Sequence, residues 1–294
     1  MIREQKKDKI IRILLLSNGL ISVVIVVLIF LFLFKEAFPL ITSGEFSKLL
    51  NNTWSPVSYQ NESFGLLPLI AGSFLVTVLA ALIAIPFGIT GAVYISEVAS
   101  LKEREFLKPF IEILAGIPSV VLGFFGLKVL VPLVKTVFGL NSGTIALTGA
   151  ILLAFMAIPT IITISEDALK AVPKAYKEAS LALGASKFTT IWKVTVPAGL
   201  SGIIASIMLG MGRVIGETMA VIMVTGNAAL TTLNPFDSVR TMTATIAAEM
   251  GEVTFGSGHY QALFWVGILL LITTFILNLI SLKLYRRYGF FEKS

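Results

Sequence analysis

Long apolar runs separated by short polar segments dominate the chain, with runs near 11–34, 66–96, 111–135, 144–165, 198–226 and 260–284. Each reaches about the 20 apolar residues that a helix needs to cross the hydrocarbon core of a bilayer. The pattern predicts an all-α polytopic bundle of six transmembrane helices. The second run exceeds a perpendicular crossing and carries Pro86, Gly88 and Gly91, which predicts a tilt or kink there. Between the runs, 36–65 contains Asn51, Asn52, Trp54 and Pro56 and reads as an irregular outer loop with an interfacial aromatic. The segment 227–259 contains Asn234-Pro235 and then Thr241 to Met250, a stretch expected to form a short helix at the outer mouth. The divisions that follow are 1–65 (leading helix and outer loop), 66–285 (transmembrane domain) and 286–294 (cytoplasmic tail).

Composition makes lipid the solvent. The 294 residues are 56% hydrophobic and 14% charged, against about 45–50% and about 25% in soluble proteins. The basic start followed by the uncharged stretch Ile13 to Phe34 superficially resembles a secretory signal. It is longer than an h-region and ends in Phe32-Leu33-Phe34-Lys35 with no small-x-small cleavage pattern, so a retained span is expected.

A net charge of +6 raises the question of nucleic acid, but 17 of the 23 Lys and Arg residues lie in 1–12, 97–109, 166–197 and 283–294. They read as topology determinants, and the positive-inside rule puts both termini in the cytoplasm of a multi-pass membrane protein. With no Cys and the single His259, disulfides, thiol nucleophiles and His-based metal clusters are excluded. No G-x-x-x-x-G-K-[ST] phosphate loop and no H-E-x-x-H run occurs, and Asp8, Asp167 and Asp237 all lie outside the runs. The expectation is a transport subunit with no cofactor or metal, not an enzyme.

Three constellations carry candidate chemistry. Between the fourth and fifth runs stands Glu178-Ala179-Ser180, with Gly184 six residues after the Glu and Val194-Thr195-Val196-Pro197 beyond it. Ala179, Ala182 and Ala185 are small enough for a short helix to lie close to a partner, Gly184 permits a sharp break, and Pro197 can start a new helix. An ordinary amphipathic loop helix is the alternative.

In the fifth run Arg213 and Glu217 are four residues apart, hence on one face of a continuous helix. Ionisable residues at that depth are costly and face a bundle interior or a watery cavity. They are either a self-neutralising ion pair or an Arg that offers its planar donor fork to an oxyanion while the Glu holds and tunes it. In the third run, Ile117-Pro118-Ser119 predicts a kink, and Gly123 and Gly126 predict close approach of another helix. That helix either walls a substrate pathway or is merely kinked by packing. Lys128 and Lys135 either snorkel to the outer interface or draw anions to the mouth.

The Glu178 segment resembles the E-A-A…G…I-x-L-P signature of ATP-binding-cassette importer permeases, with Ser180, Val194 and Val196 as conservative departures. The run Gly212 to Val221, the tract Gly116 to Gly123 and the run Thr245 to Glu252 resemble the phosphate-specific, PstC-type permeases, a CysTW-like subfamily of the binding-protein-dependent transport permeases. The likeness extends from about 66 to 285.

The resemblance implies a MetI-like fold in the cell inner membrane and a role in ATP-driven import of inorganic phosphate by alternating access. It implies that Arg213, Glu217, Ser119 and Glu249 belong to the substrate pathway. Glu178, Ala179, Ser180, Gly184 and Pro197 would couple the chain to ATP hydrolysis in a partner subunit. The implied partners are a homologous second permease (PstA-like), an ATPase dimer (PstB-like) and an external phosphate-binding protein (PstS-like). The companion permease of the same system, a permease for molybdate or sulfate, and a passive anion channel remain as alternatives.

Overall fold

The computed structural model describes residues 2–57 and 62–288. It is almost wholly helical. Helix α1 spans Ile2–Ala37 and leads through a short turn Pro39–Thr42 to a two-stranded antiparallel hairpin of β1, Trp54–Ser55, and β2, Ser63–Phe64. Helix α2, Leu67–Val93, ends in a π turn, Tyr94–Val98. Helix α3, Leu101–Gly116, is followed by α4, Ser119–Phe138, and by α5, Ala146–Lys170. Then come α6, Lys174–Ala182, α7, Lys187–Ala198, α8, Leu200–Gly216, and α9, Met219–Val224. The last two are α10, Met242–Glu249, and α11, Gly258–Tyr288.

Among the described residues, five helical stretches are long and apolar enough to cross a bilayer: Ile11–Thr42, Leu67–Val98, Ser119–Phe138, Ala146–Lys170 and Gly258–Leu284. A sixth arises if α7 and α8, bent by 70° at Gly199, count as one span. The expected six-helix bundle is therefore present, with two revisions.

The third run is not one helix. Ile117 and Pro118 are both extended, with ψ of 129° and 137°, because Pro118 lacks an amide hydrogen and disfavours helix before it. Residues 111–116 thus belong to α3, whose start is fixed by a capping box between Ser100 and Glu103. The fifth run also breaks, at Glu217. Pro86, by contrast, leaves α2 unbroken; the irregularity falls at the π turn that follows.

Helices α2, α5 and α8 form the centre. Helix association in lipid depends on close packing rather than on the hydrophobic effect, and these helices meet through small residues. Ala80, Ala84, Ala150 and Ala157 are fully buried. A Cβ on Gly88 would lie 2.5 Å from Ile161 Cγ2, and one on Gly210 would lie 2.8 Å from Ile161 Cγ1. Those two glycines let α2 and α8 close on α5 from two directions. Ser165 and Ser206 hydrogen-bond at 2.6 Å inside the α5–α8 contact.

Helix α1 stands outside this core, its residues 11–32 exposed along their length. It is held at its far end, where Phe32 meets Phe264 at 5.6 Å and the Trp265 indole donates to the Ala37 carbonyl at 2.9 Å.

Candidate functional site

Helix α8 ends at Gly216, and Glu217 leaves the helix with φ −70° and ψ 131°. No proline forces this. Gly212 and Gly216 weaken the last turns, and the break is then satisfied locally, as backbone polar groups within a bilayer must be. The Thr243 hydroxyl of α10 donates to the Glu217 carbonyl at 2.8 Å. The Glu217 carboxylate turns forward and accepts from the Ala220 amide at 3.2 Å, capping α9. A cavity of about 10 Å³, lined by Ser73, Thr77, Glu217, Thr241 and Thr243 among others, has room there for about one water.

This geometry corrects the expected face-sharing of Arg213 and Glu217. The extended backbone at Glu217 removes its side chain from the i+4 position, and the two form no ion pair. Arg213 is half-buried and, among the described residues, has no hydrogen-bond or ion-pair partner. Its turn sits near the middle of the bundle, since Gly210 rests on Ile161 of α5. Leu209, Gly212 and Gly216 beside it are exposed, with nothing within 4 Å of a Cβ at either glycine. The guanidinium therefore borders a face that this chain leaves open.

Ser119 opens α4 immediately after the other break, half-buried and without a hydrogen-bond partner among the described residues. The two breaks flank one apolar cluster that includes Ile117, Val214 and Ala220. A Cβ on Gly123 would come within 2.9 Å of the Ala220 Cα, so α4 lies directly on α9. The close approach expected from Gly123 is present. Arg213, Glu217 and Ser119 are thus gathered at helix interruptions.

Glu249 lies in a different cluster. Its carboxylate takes Arg240 Nη1, His259 Nε2 at 2.9 Å and the Trp54 indole at 3.0 Å. Phe64 stacks on His259 at 6.3 Å, tying the hairpin to α10 and α11. Burial pushes the Glu249 carboxyl up, but hydrogen bonds from His259 and Trp54 and the charge of Arg240 outweigh it and hold the group below its ordinary value.

At the opposite end of α2, helix α6 carries Glu178 and Ala179 on its exposed surface. Ser180 hydrogen-bonds Thr190 of α7 at 2.9 Å. The helix ends in a Schellman turn: Gly184 donates to the Leu181 carbonyl at 2.9 Å and Ala185 to that of Ser180 at 3.2 Å. Gly184 has φ +82°, so the sharp break expected there is present. Leu183 is 89% and Phe188 72% exposed, forming an apolar knob. Pro197 lies within the last turn of α7, and the bend follows it, at Gly199.

One group escaped the sequence reading. Glu166, its side chain 2% exposed, sits at the end of α5 among Arg104 at 3.1 Å, Lys108 at 3.1 Å and Lys170. The hydrogen bond to Glu166 raises the Lys108 pKa above its ordinary value despite burial. The available cues were the i, i+4 spacings Glu166–Lys170 and Arg104–Lys108, but their meeting depends on how α3 folds across α5.

Comparison with known proteins accords with this architecture. The chain is 44% identical over 236 residues to "Probable ABC transporter permease protein YqgH" of Bacillus subtilis, covering 80% of this chain and 75% of that one. It is 34% identical over 268 residues to "Phosphate transport system permease protein PstC" of Mesorhizobium japonicum, covering 85% and 81%. Among solved structures it resembles a subunit of the MetNI methionine ABC transporter, with a TM-score of 0.56 at 20% identity over 76% of this chain and 94% of that one. It also resembles a subunit of a bacterial alginate ABC transporter, with a TM-score of 0.60 at 15% identity over 95% and 98%. These two likenesses concern the fold alone. The model of the family "Binding-protein-dependent transport system inner membrane component" matches residues 84–289, and the chain belongs to that family of ABC permeases.

Proposed function

We propose that this chain is one of two transmembrane subunits of an ATP-driven importer of inorganic phosphate. The observation that carries the reading is Arg213, a guanidinium at a broken span with no partner among the described residues, on a face its own chain leaves open. An anion crossing a low-dielectric region needs a fixed positive charge, held loosely enough to release the ion. A guanidinium with free donors offers phosphate a two-pronged contact. Ser119 supplies a second donor from the neighbouring break. Glu217 holds the broken span in shape and moderates the local charge, and Glu249 fixes the mouth of the pathway through the hairpin. The relative named for phosphate transport supports this choice of ion.

The open face around Leu209, Gly212 and Gly216 receives a homologous second permease. The α6 knob, with Glu178, Ala179, Ser180 and Gly184, docks on an ATPase subunit dimer, which hydrolyses ATP. Pro197 and the bend after it join that helix to α8. Both termini and α6 then face the cytoplasm, in keeping with the distribution of basic residues, and the hairpin end meets an external phosphate-binding protein.

ATP-dependent uptake of labelled phosphate into vesicles containing the reconstituted complex tests the reading, with sulfate and molybdate as competitors. Uptake that requires ATP and resists both competitors is expected. Equal competition would shift the assignment to a general oxyanion permease, and uptake without ATP would make the protein a channel.

A further inference from the structure

Helix α6 buries none of its own residues, and among the described residues two side-chain polar links tie it to the rest of the chain. One is Ser180 to Thr190 of α7, which leads through the bend to α8 and Arg213. The other is an ion pair. Lys177 Nζ lies 2.6 Å from Glu97 Oε1, with side-chain exposures of 25% and 9%. Glu97 sits in the π turn that ends α2 and also accepts from Ser96 at 3.1 Å. That turn is firmly seated, because Ile95 is buried in one cluster with Ile162, Ile191 and Ile203 from α5, α7 and α8.

Helix α2 is unbroken from Leu67 to Val93, and near its other end Ser73 Oγ accepts the Met242 amide at 2.9 Å, fixing the start of α10. Helix α10 in turn holds the broken span through Thr243 and Glu217. The docking helix is therefore connected to the interrupted region by two separate routes.

We propose that the Glu97–Lys177 pair is a strut that carries movement of the docking helix into α2, so that α10 and the break at Glu217 move in step with α8. Glu97 and Lys177 are positioning residues. A short contact between two charges, one of them nine-tenths hidden, suits this role because it resists both compression and separation better than an exposed pair does. The inference rests on the proposed docking of α6 to an ATPase.

The test uses the complete reconstituted transporter, with phosphate transported per ATP hydrolysed as the readout. Glu97→Gln and Lys177→Met should each assemble and hydrolyse ATP but lower that ratio about tenfold, a typical coupling loss between sites. The exchange of charges, Glu97→Lys with Lys177→Glu, should bring the ratio back to within about twofold of wild type, on the same scale. A wild-type ratio in both single variants, or an exchange no better than either, overturns the strut.

A second measurement needs no transported ion. The chain has no Cys, so when this subunit is labelled before the complex is assembled, spin labels on cysteines at the exposed Leu67 and Phe255 report movement at its far end. ATP binding should change their separation in wild type but not with Glu97→Gln. If wild type moves no phosphate yet shows this Glu97-dependent change, the strut stands and the phosphate reading falls. An unchanged response in Glu97→Gln overturns the strut whatever ion is carried.

Discussion

Replacing Arg213 separates a structural charge from a working one, because the structure assigns it nothing structural to do. With no partner among the described residues, Arg213→Leu should not lower stability and, by removing a charge that is costly at that depth, should raise it. Its effect on phosphate passage should be large. Two charge-assisted hydrogen bonds from the fork, at about 1.5 kcal/mol or more each, give about 3 kcal/mol, or roughly a hundredfold in rate. Arg213→Lys keeps the charge and loses the fork, so a loss of about tenfold is expected.

Glu217 caps α9, and Glu217→Leu should cost about 1 kcal/mol on its own. Because the two groups are not paired, their separate changes in stability should add in the double variant, within about 0.5 kcal/mol. Thermal unfolding in detergent and ATP-driven uptake in vesicles measure the two quantities separately. A double Leu variant more stable than Arg213→Leu alone, or one that transports at the wild-type rate, would refute both the separation of the pair and the role of the guanidinium.

Other substitutions probe the remaining clusters. Glu166→Gln leaves Arg104, Lys108 and Lys170 without their shared counter-charge and should lower stability by about 3 kcal/mol, read as an earlier thermal transition; a change below about 0.5 kcal/mol contradicts the burial of that network. Gly184→Ala meets no neighbouring atom but must adopt φ +82°, costing about 1–2 kcal/mol in the docking turn, and should lose coupled ATP hydrolysis while membrane insertion stays normal. For Glu249, the folded pKa lies below the ordinary carboxylate value, so the stability it contributes is present above that ordinary value and lost as pH falls through the lower folded one. Trp54 fluorescence should report the hairpin loosening in that acid range in wild type and not in Glu249→Gln.

The crossing helices were legible because a bilayer permits so few solutions. Backbone groups in hydrocarbon must bond internally, so a run such as 144–165 can only be helix, and α5 fills it. Gly184, with its fixed spacing from Glu178, was equally plain, since a positive φ at a helix end selects glycine. The short hairpin escaped because it depends on the distant pairing of Trp54 with Phe64 and on the carboxylate of Glu249, far along the chain. Glu166 escaped for the same reason: hydropathy puts it at a span end, and only the fold of α3 brings Arg104 and Lys108 to it.

The break at Glu217 was the least legible feature and is the one that matters most. Spacing alone left two readings of Arg213 and Glu217 open, and the self-neutralising pair required an uninterrupted helix from one to the other. Gly216 and the extended Glu217 deny it that helix, and the freed carboxylate is spent on the Ala220 amide instead. What remains is a guanidinium with no counter-charge among the described residues, at a depth where such a group is expensive. Glu166 shows that the same chain surrounds a buried charge fully when structure is all that is needed, with three cations around one carboxylate. The contrast between the two sites points to an anion from outside the chain as the partner of Arg213.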